Sequence, residues 1–338
     1  MRTAVVILNW NGKSFLEKFL PNVLAHSTEA EVYVADNAST DGSVDFVRTK
    51  HPEVTIVETG GNYGYAGGYN KGLKNLTEDI FVLLNSDVEV TENWLEPIVS
   101  LFEDDERVAA CQPKILQYNR KDHFEYAGAA GGYIDRFGFP FCRGRMFDQV
   151  EKDHGQYDNQ REVFWATGAC MFIRSSVYKE FGGLDDDFFA HMEEIDFCWR
   201  VQRAGYKVMV EPASMVYHVG GGTLSKSNPW KTFLNFRNGL ELLAKNLPKS
   251  SLFPILFIRM VFDGVAAVKF LLSGQPKDFW AVFKAHIAFY GRLKKTLKKR
   301  SGNFNQVANI YQGSVVAAYF LGGKKEFNQL GSDRFSMR

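Results

Sequence analysis

Four short β-rich runs, TAVVILN, EVYVAD, VTIVE and DIFVLLN, alternate with helical patterns through the first hundred residues, and nothing else in the chain constrains its fold as strongly. The intervening stretches KSFLEKFLPNVLAH, DGSVDFVRTK and AGGYNKGLKNLT carry the helix period. Strand–helix–strand alternation predicts an α/β chain with a parallel sheet and right-handed crossovers. The fourth run continues into Asn85-Ser86-Asp87, so a buried strand delivers one carboxylate to the sheet edge. Open parallel sheets bind ligands just past the carboxyl ends of their strands. A carboxylate at that place can hold a divalent cation, and the cation can hold phosphates. Asp36, which follows VYVA, faces the same rim.

With 338 residues, 45% of them apolar, the chain can bury a sizeable core, read as one large domain with an appendage. Its 40 basic and 39 acidic residues leave +1, which points to no nucleic-acid partner. The charge is uneven, however. From Lys226 to Arg300 there are 15 Lys and Arg against Glu241, Asp263 and Asp278, a net of +12, which leaves −11 for the remainder. Cys111, Cys142, Cys170 and Cys198 are widely spaced, with no Cys-x-x-Cys pair, and read as core thiols in a reducing compartment. The opening MRTAVVILNW is too short an apolar stretch for a signal peptide and reads as the first buried strand. Leu252 to Leu272 is long enough to span a bilayer, but Arg259, Asp263 and Lys269 interrupt it. Each would cost roughly 2.5–3.5 kcal/mol at mid-membrane, which favours a helix lying on a surface.

Asp41 follows Ser39-Thr40 and opens a helix pattern, where a capping role is expected. GGNYGYAGGYNKG, residues 60–72, is dense in glycine and would let backbone N–H groups approach a ligand. It matches neither the dinucleotide-binding nor the P-loop pattern. Cys111 to Phe164 is irregular and rich in Gly, Tyr and Phe, and reads as a long functional loop or hairpin. From about Pro229 the chain reads as helices, which puts a domain boundary at 228/229. DFWAVFKAHIAFYGRLKKTLKKR combines aromatics with a basic cluster, which suits either an anionic membrane surface or a core-packing helix with a solvated basic end.

Two further groups carry chemistry. Glu193-Glu194-Ile195-Asp196 opens a helix, where the dipole favours acids, and Asp196 and Arg200 are spaced for an intrahelical pair. Phe188, Phe189, His191 and Met192 precede it, and a carboxylate among such neighbours would have a raised pKa and could act as a general base. Both readings, helix stabiliser and base, stand. His218 in VYHVGGGT follows another β-like run and is either structural or a metal ligand beside glycines that open space.

The motifs VVILNWNG, VADNASTDGS, NYGYAGGYN, LLNSD, GGLDDDFFAHMEEIDFCWR, VYHVGG and FRN occur in the order seen in family-2 glycosyltransferases of the GT-A fold. The likeness covers Thr3 to Asn238 and is closest in flavour to the bacterial rhamnosyltransferase-like group. It implies a Rossmann-like, mixed but mostly parallel sheet with flanking helices over residues 1–228 and a helical, basic region over 229–338. It further implies that Asn9, Trp10, Asn11 and Asp36 line a pyrimidine pocket, and that Asn62, Gly64, Asn70 and Ser86 belong to the nucleotide site. Asp87 and His218 would hold Mg²⁺ or Mn²⁺ on the diphosphate, and Glu194 would deprotonate the acceptor. Apart from the resemblance, Trp165, Thr167, Asp196 and Arg200 are read from the residues as acceptor-side or structural support. The chain departs from the family pattern in two places. The usual Asp-x-Asp is Asn85-Ser86-Asp87, and the base position holds Glu rather than the commoner Asp, which keeps Glu193 as a second candidate.

The resemblance implies an inverting transfer from a UDP- or dTDP-sugar to a glycan or lipid-linked acceptor in surface polysaccharide synthesis, and the basic aromatic C-terminus predicts peripheral attachment at the cytoplasmic face of the inner membrane. One alternative, a non-catalytic nucleotide-sugar-binding protein, is motivated by Asn85. Another, a sugar-phosphate nucleotidyltransferase, lacks the Gly-rich basic loop it would need, since LNWNGKSF has one glycine. Donor sugar, linkage and oligomeric state are not legible in the residues.

Overall fold

The computed structural model describes residues 1–220, 228–305 and 307–337. The first third runs β1 (Thr3–Asn9), α1 (Lys13–Ala25), β2 (Glu31–Asp36), α2 (Ser43–Lys50), β3 (Thr55–Glu58), α3 (Gly64–Gly72), β4 (Ile80–Asn85), β5 (Val88–Val90), α4 (Glu96–Asp104) and β6 (Val108–Gln117). Next come β7 (Arg120–Phe124), β8 (Gly132–Asp135), β9 (Pro140–Cys142), β10 (Arg145–Met146), β11 (Gln149–Val150), β12 (Arg161–Glu162) and β13 (Cys170–Arg174). The rest is α5 (Ser175–Glu180), α6 (Glu193–Arg203), β14 (Lys207–His218), α7 (Pro229–Asn246), α8 (Lys249–Leu272), α9 (Pro276–Lys298), β15 (Ile310–Tyr311) and α10 (Val315–Phe320).

The main sheet has the order β12-β14-β6-β13-β4-β1-β2-β3. β3, β2, β1 and β4 are mutually parallel, as the strand–helix alternation requires, and β13 is inserted antiparallel between β4 and β6. Register puts the functional ends together. Asn9 pairs with Asp36, Leu8 pairs with Asn85, and His218 lies beside both Val88 and Gln117. Val5, Val6 and Ile7 of β1 and the apolar residues of β4 are almost wholly buried, as expected of central strands covered on both faces.

Residues 111–164 differ from the expected loop or hairpin. They complete β6 and then build most of a second, five-stranded sheet, β11-β10-β9-β8-β15. Its fifth strand comes from the far end of the chain. The aromatics that lacked a local partner find one there, with Tyr133, Phe141, Tyr311, Phe327 and Phe335 forming one cluster. Among the described residues no helix is long and apolar enough to cross a membrane. The four cysteines are buried free thiols.

Candidate active site

Asn9 ends β1 fully buried, and its Nδ2 faces Asp36 Oδ1 at 3.1 Å, Ser39 Oγ at 3.0 Å and Ser43 Oγ at 2.9 Å. Asp36 accepts from the Ser39 amide through its other oxygen at 2.9 Å. Asn11 is left-handed (φ 51°) and accepts from the Thr40 amide, while Trp10 between them is 45% exposed and free to meet a ligand. Gly12 is required here, because a Cβ would lie 2.6 Å from Asn9 Oδ1 and 3.4 Å from Ser86 Oγ. Asp41 accepts from the first amides of two helices, Lys13 at 2.8 Å and Ser43 at 3.1 Å, so its capping role is doubled. Burial works against its charge, but these bonds hold its carboxyl below the usual range.

Asn62 accepts from the Gly64 amide at 3.0 Å, and Gly64 (φ 69°) packs so tightly on Phe189 that a Cβ would clash with the Phe189 carbonyl. Asn70 is a correction to the nucleotide-site expectation. Its Nδ2 donates to Leu184 O at 2.7 Å and to Asp186, and its Oδ1 accepts from Tyr178 Oη and the Leu184 amide. The protein itself occupies this side chain at the far end of α3, where it ties residues 184–186 to the helix.

Asp87 is buried behind the end of β4, and its Oδ1 lies 3.1 Å from His218 Nε2. On the other side of the ring, Nδ1 faces Glu125 Oε1 at 3.5 Å. Burial disfavours the His218 cation, yet Glu125 and Asp87 outweigh it and raise the imidazole to about 10. Burial would raise both carboxyls, but the histidine holds them below their ordinary values. The ring thus lies between two carboxylates that favour its protonated form, and ligation of a cation at Nε2 would displace the proton facing Asp87. A carboxylate behind Nδ1 with Nε2 turned to a second carboxylate is the arrangement that orients a metal-ligating histidine. Asp87 Oδ1 and His218 Nε2 therefore fit Mg²⁺ or Mn²⁺ as a two-ligand site completed by oxygens of a bound diphosphate. Among the described residues no cluster of three or more His, Cys, Asp or Glu side chains could hold a metal alone. Gly221 and Gly222, expected to open space beside His218, lie outside the described residues.

Glu193 and Glu194 open α6 after three left-handed residues. Glu193 is buried and Glu194 half-buried, and each has one buried, unpartnered oxygen. Burial, with Glu194 beside it, pushes Glu193 well above the carboxylate range. Burial raises Glu194 to about 7 against the pull of the backbone amides at the helix start. A partly exposed residue whose carboxyl is poised near neutrality can accept a proton, whereas the sealed Glu193 is poorly placed to meet an acceptor.

The four supporting residues are structural. Asp196, with no exposure, accepts from Arg200 Nε, Lys245 Nζ and Asn246 Nδ2, each at 2.8 Å. Arg200 also donates to the carbonyls of Phe181 and Gly183. Trp165 donates to Tyr133 O at 2.9 Å, and Thr167 Oγ1 donates to Ala127 O at 2.6 Å, both deep in the core. Glu125 had no signal in the sequence. Its neighbourhood, HFEYAG, matches no pattern, and only the β6–β7 pairing brings it behind His218.

This sheet and rim define a GT-A-type glycosyltransferase. Residues 4–182 match glycosyl transferase family 2, and the chain belongs to that family. It is 27% identical over 233 residues to the N-acetylglucosaminyl-diphospho-decaprenol L-rhamnosyltransferase of Mycobacterium tuberculosis (strain CDC 1551 / Oshkosh), covering 63% of this chain and 75% of that one. It is 22% identical over 244 residues to the rhamnosyltransferase WbbL of Escherichia coli (strain K12), covering 69% of this chain and 90% of that one. The crystal structure of GalNAc-T7 with UDP, GalNAc and Mn²⁺ shares the fold, with a TM-score of 0.56 at 16% identity over 74% of this chain and 48% of that one.

Proposed function

We propose that this glycosyltransferase moves a hexosyl or rhamnosyl group, with inversion, from a UDP- or dTDP-sugar to a glycan or lipid-linked acceptor of a surface polysaccharide. The observation that carries the reading is the meeting of Asp87 and His218, 131 residues apart in sequence, at the carboxyl rim with Glu125 behind them. Asn9, Trp10, Asn11 and Asp36 form the base pocket, and the loop from Asn62 with Ser86 covers ribose and phosphate. Mg²⁺ or Mn²⁺ held by Asp87 and His218 would neutralise charge on the departing diphosphate. Glu194 takes the proton of the acceptor hydroxyl as that oxygen attacks the anomeric carbon. The bond from that carbon to the β-phosphate oxygen breaks, and its electron pair leaves with the nucleoside diphosphate. No covalent nucleophile is needed, and a single displacement inverts the centre.

The same reading places the protein on the cytoplasmic face of the inner membrane. Phe253, Phe257, Val261, Val265 and Leu272 form an exposed apolar stripe along α8, and Trp280, Phe283, Ile287 and Tyr290 form another on α9. α9 also carries Lys277, Lys284, Lys294 and Lys298, while Arg292 and Lys295 pair with Glu241 and Asp187. That pairing of apolar stripe and cationic rim suits an anionic lipid surface. Incubation with UDP- and dTDP-sugars, Mn²⁺ and a lipid-diphosphate-linked sugar acceptor tests the reading. Nucleoside diphosphate release that depends on acceptor and cation supports it, and release from neither donor class overturns it.

A further inference from the structure

The FRN motif, residues 236–238, has no role in the site described so far. Asn238 lies in the middle of α7 with no exposure. Its Nδ2 is 3.0 Å from the Phe188 carbonyl oxygen, 2.9 Å from that of Ala190 and 2.7 Å from that of His191. Its Oδ1 accepts from Arg237 Nε at 2.9 Å, which fixes the end of the amide that faces the carbonyls. Arg237 Nη2 reaches the carbonyls of Asp187 and Phe188 at 3.2 and 3.1 Å. One residue pair thus gathers four backbone carbonyls of a single loop.

That loop is strained. Phe189 has φ 65° and ψ −59°, and the Ala190 amide donates to Phe188 O at 2.8 Å. This is a γ-turn of the rare positive-φ kind. His191 (φ 69°) and Met192 (φ 77°) are also left-handed. Non-glycine residues in such conformations persist only where their surroundings hold them, and they cluster at functional sites. The turn stands between the two halves of the site. Phe189 O accepts from the Tyr65 and Ala66 amides at the start of α3, while Met192 leads directly into Glu193 and Glu194.

We infer that Asn238, oriented by Arg237, is a positioning residue that locks the Phe188–Met192 turn and so aims the Glu193–Glu194 carboxylates relative to the donor loop at 62–66. The catalytic half of this inference rests on Glu194 being the base, and the conformational half does not.

Hydrogen exchange read by mass spectrometry on the full chain, wild type against Asn238→Ala, tests the lock directly. Exchange over residues 186–196 should quicken by about tenfold or more while peptides of β1 and β4 stay unchanged. In parallel, kcat should fall about tenfold to a hundredfold, with KM for the nucleotide sugar within about threefold, as expected of a misaimed base. Loop exchange within about twofold of wild type overturns the lock. Equal losses in kcat and nucleotide affinity overturn the positioning role and leave a merely structural one. If Asn238→Ala fails to fold, Asn238→Ser, which keeps a hydroxyl near the carbonyls, is read in the same way. Faster loop exchange together with full transfer by Glu194→Gln leaves the lock standing and removes Glu194 as base.

Discussion

Replacing Glu194 by glutamine separates two consequences of one buried carboxyl. The glutamine keeps the shape and cannot accept the acceptor proton, so transfer should fall by about 10²–10⁴, the range for loss of a general base. Stability should move the other way. Burial raises the folded-state pKa of Glu194 to about 7, above its unfolded value, so the native state binds more protons than the unfolded one between roughly pH 4.5 and 7. Stability is therefore lost as pH rises through that window, and Glu194→Gln removes the loss. At about 1.4 kcal/mol per pH unit the full effect is about 3 kcal/mol, and solvent screening of this half-exposed group brings it to about 1–3 kcal/mol. For a chain of this length, about 2 kcal/mol corresponds to a Tm rise of about 3 °C. Differential scanning fluorimetry at pH 5 and pH 8, beside a nucleoside diphosphate release assay, reads both. The variant should gain Tm at pH 8, gain little at pH 5, and lose activity. Full transfer by Glu194→Gln, or equal Tm differences at the two pH values, would refute the assignment.

Other outcomes follow from the same geometry. Asp87→Asn should abolish the thermal stabilisation that Mn²⁺ adds in the presence of UDP or dTDP, and should also lower Tm without ligand, because the buried His218 loses one of its two carboxylate partners. Asp196→Ala leaves Lys245 and Arg200 without their shared buried carboxylate and should cost about 3–5 kcal/mol in urea unfolding, since breaking a buried pair strands a charge. The same carboxylate is depressed, with Lys245 and Arg200 outweighing burial, so its contribution should fade as pH falls below the ordinary aspartate range. Phe257→Glu, on an exposed face, should abolish sedimentation with phosphatidylglycerol vesicles at unchanged Tm, and retained sedimentation would argue against the α8 stripe as the lipid face.

The parallel half of the main sheet was legible because its information is local. Apolar runs in β1, β2 and β4, each ending in Asn or Asp, name both the strands and their ligand-bearing ends. Asp36 and Asp87 are legible as candidates for that reason. The second sheet was not legible, because β8 to β11 are two to four residues long and β15 arrives from residue 310. Glu125 and the salt bridge of Asp185 with Lys245 escaped for the same cause, since their partners lie 60 to 93 residues away. Asn70 misled because a polar residue in a glycine-rich segment looks like a ligand contact, and only the fold reveals that Leu184 and Tyr178 already occupy its amide. Trp165 and Thr167 have strong side-chain chemistry, but it is used on the backbone of Tyr133 and Ala127.

A cation at the Asp87–His218 pair is the link proposed to tie a pyrophosphate to this rim. Crystals grown with Mn²⁺ and UDP or dTDP, measured at the manganese absorption edge, test it most directly. One anomalous peak is expected about 2.0–2.3 Å from Asp87 and His218, beside the diphosphate, with the base against Asp36. A nucleotide bound away from that rim, or one bound at the rim with no metal at Asp87 under saturating Mn²⁺, would contradict it.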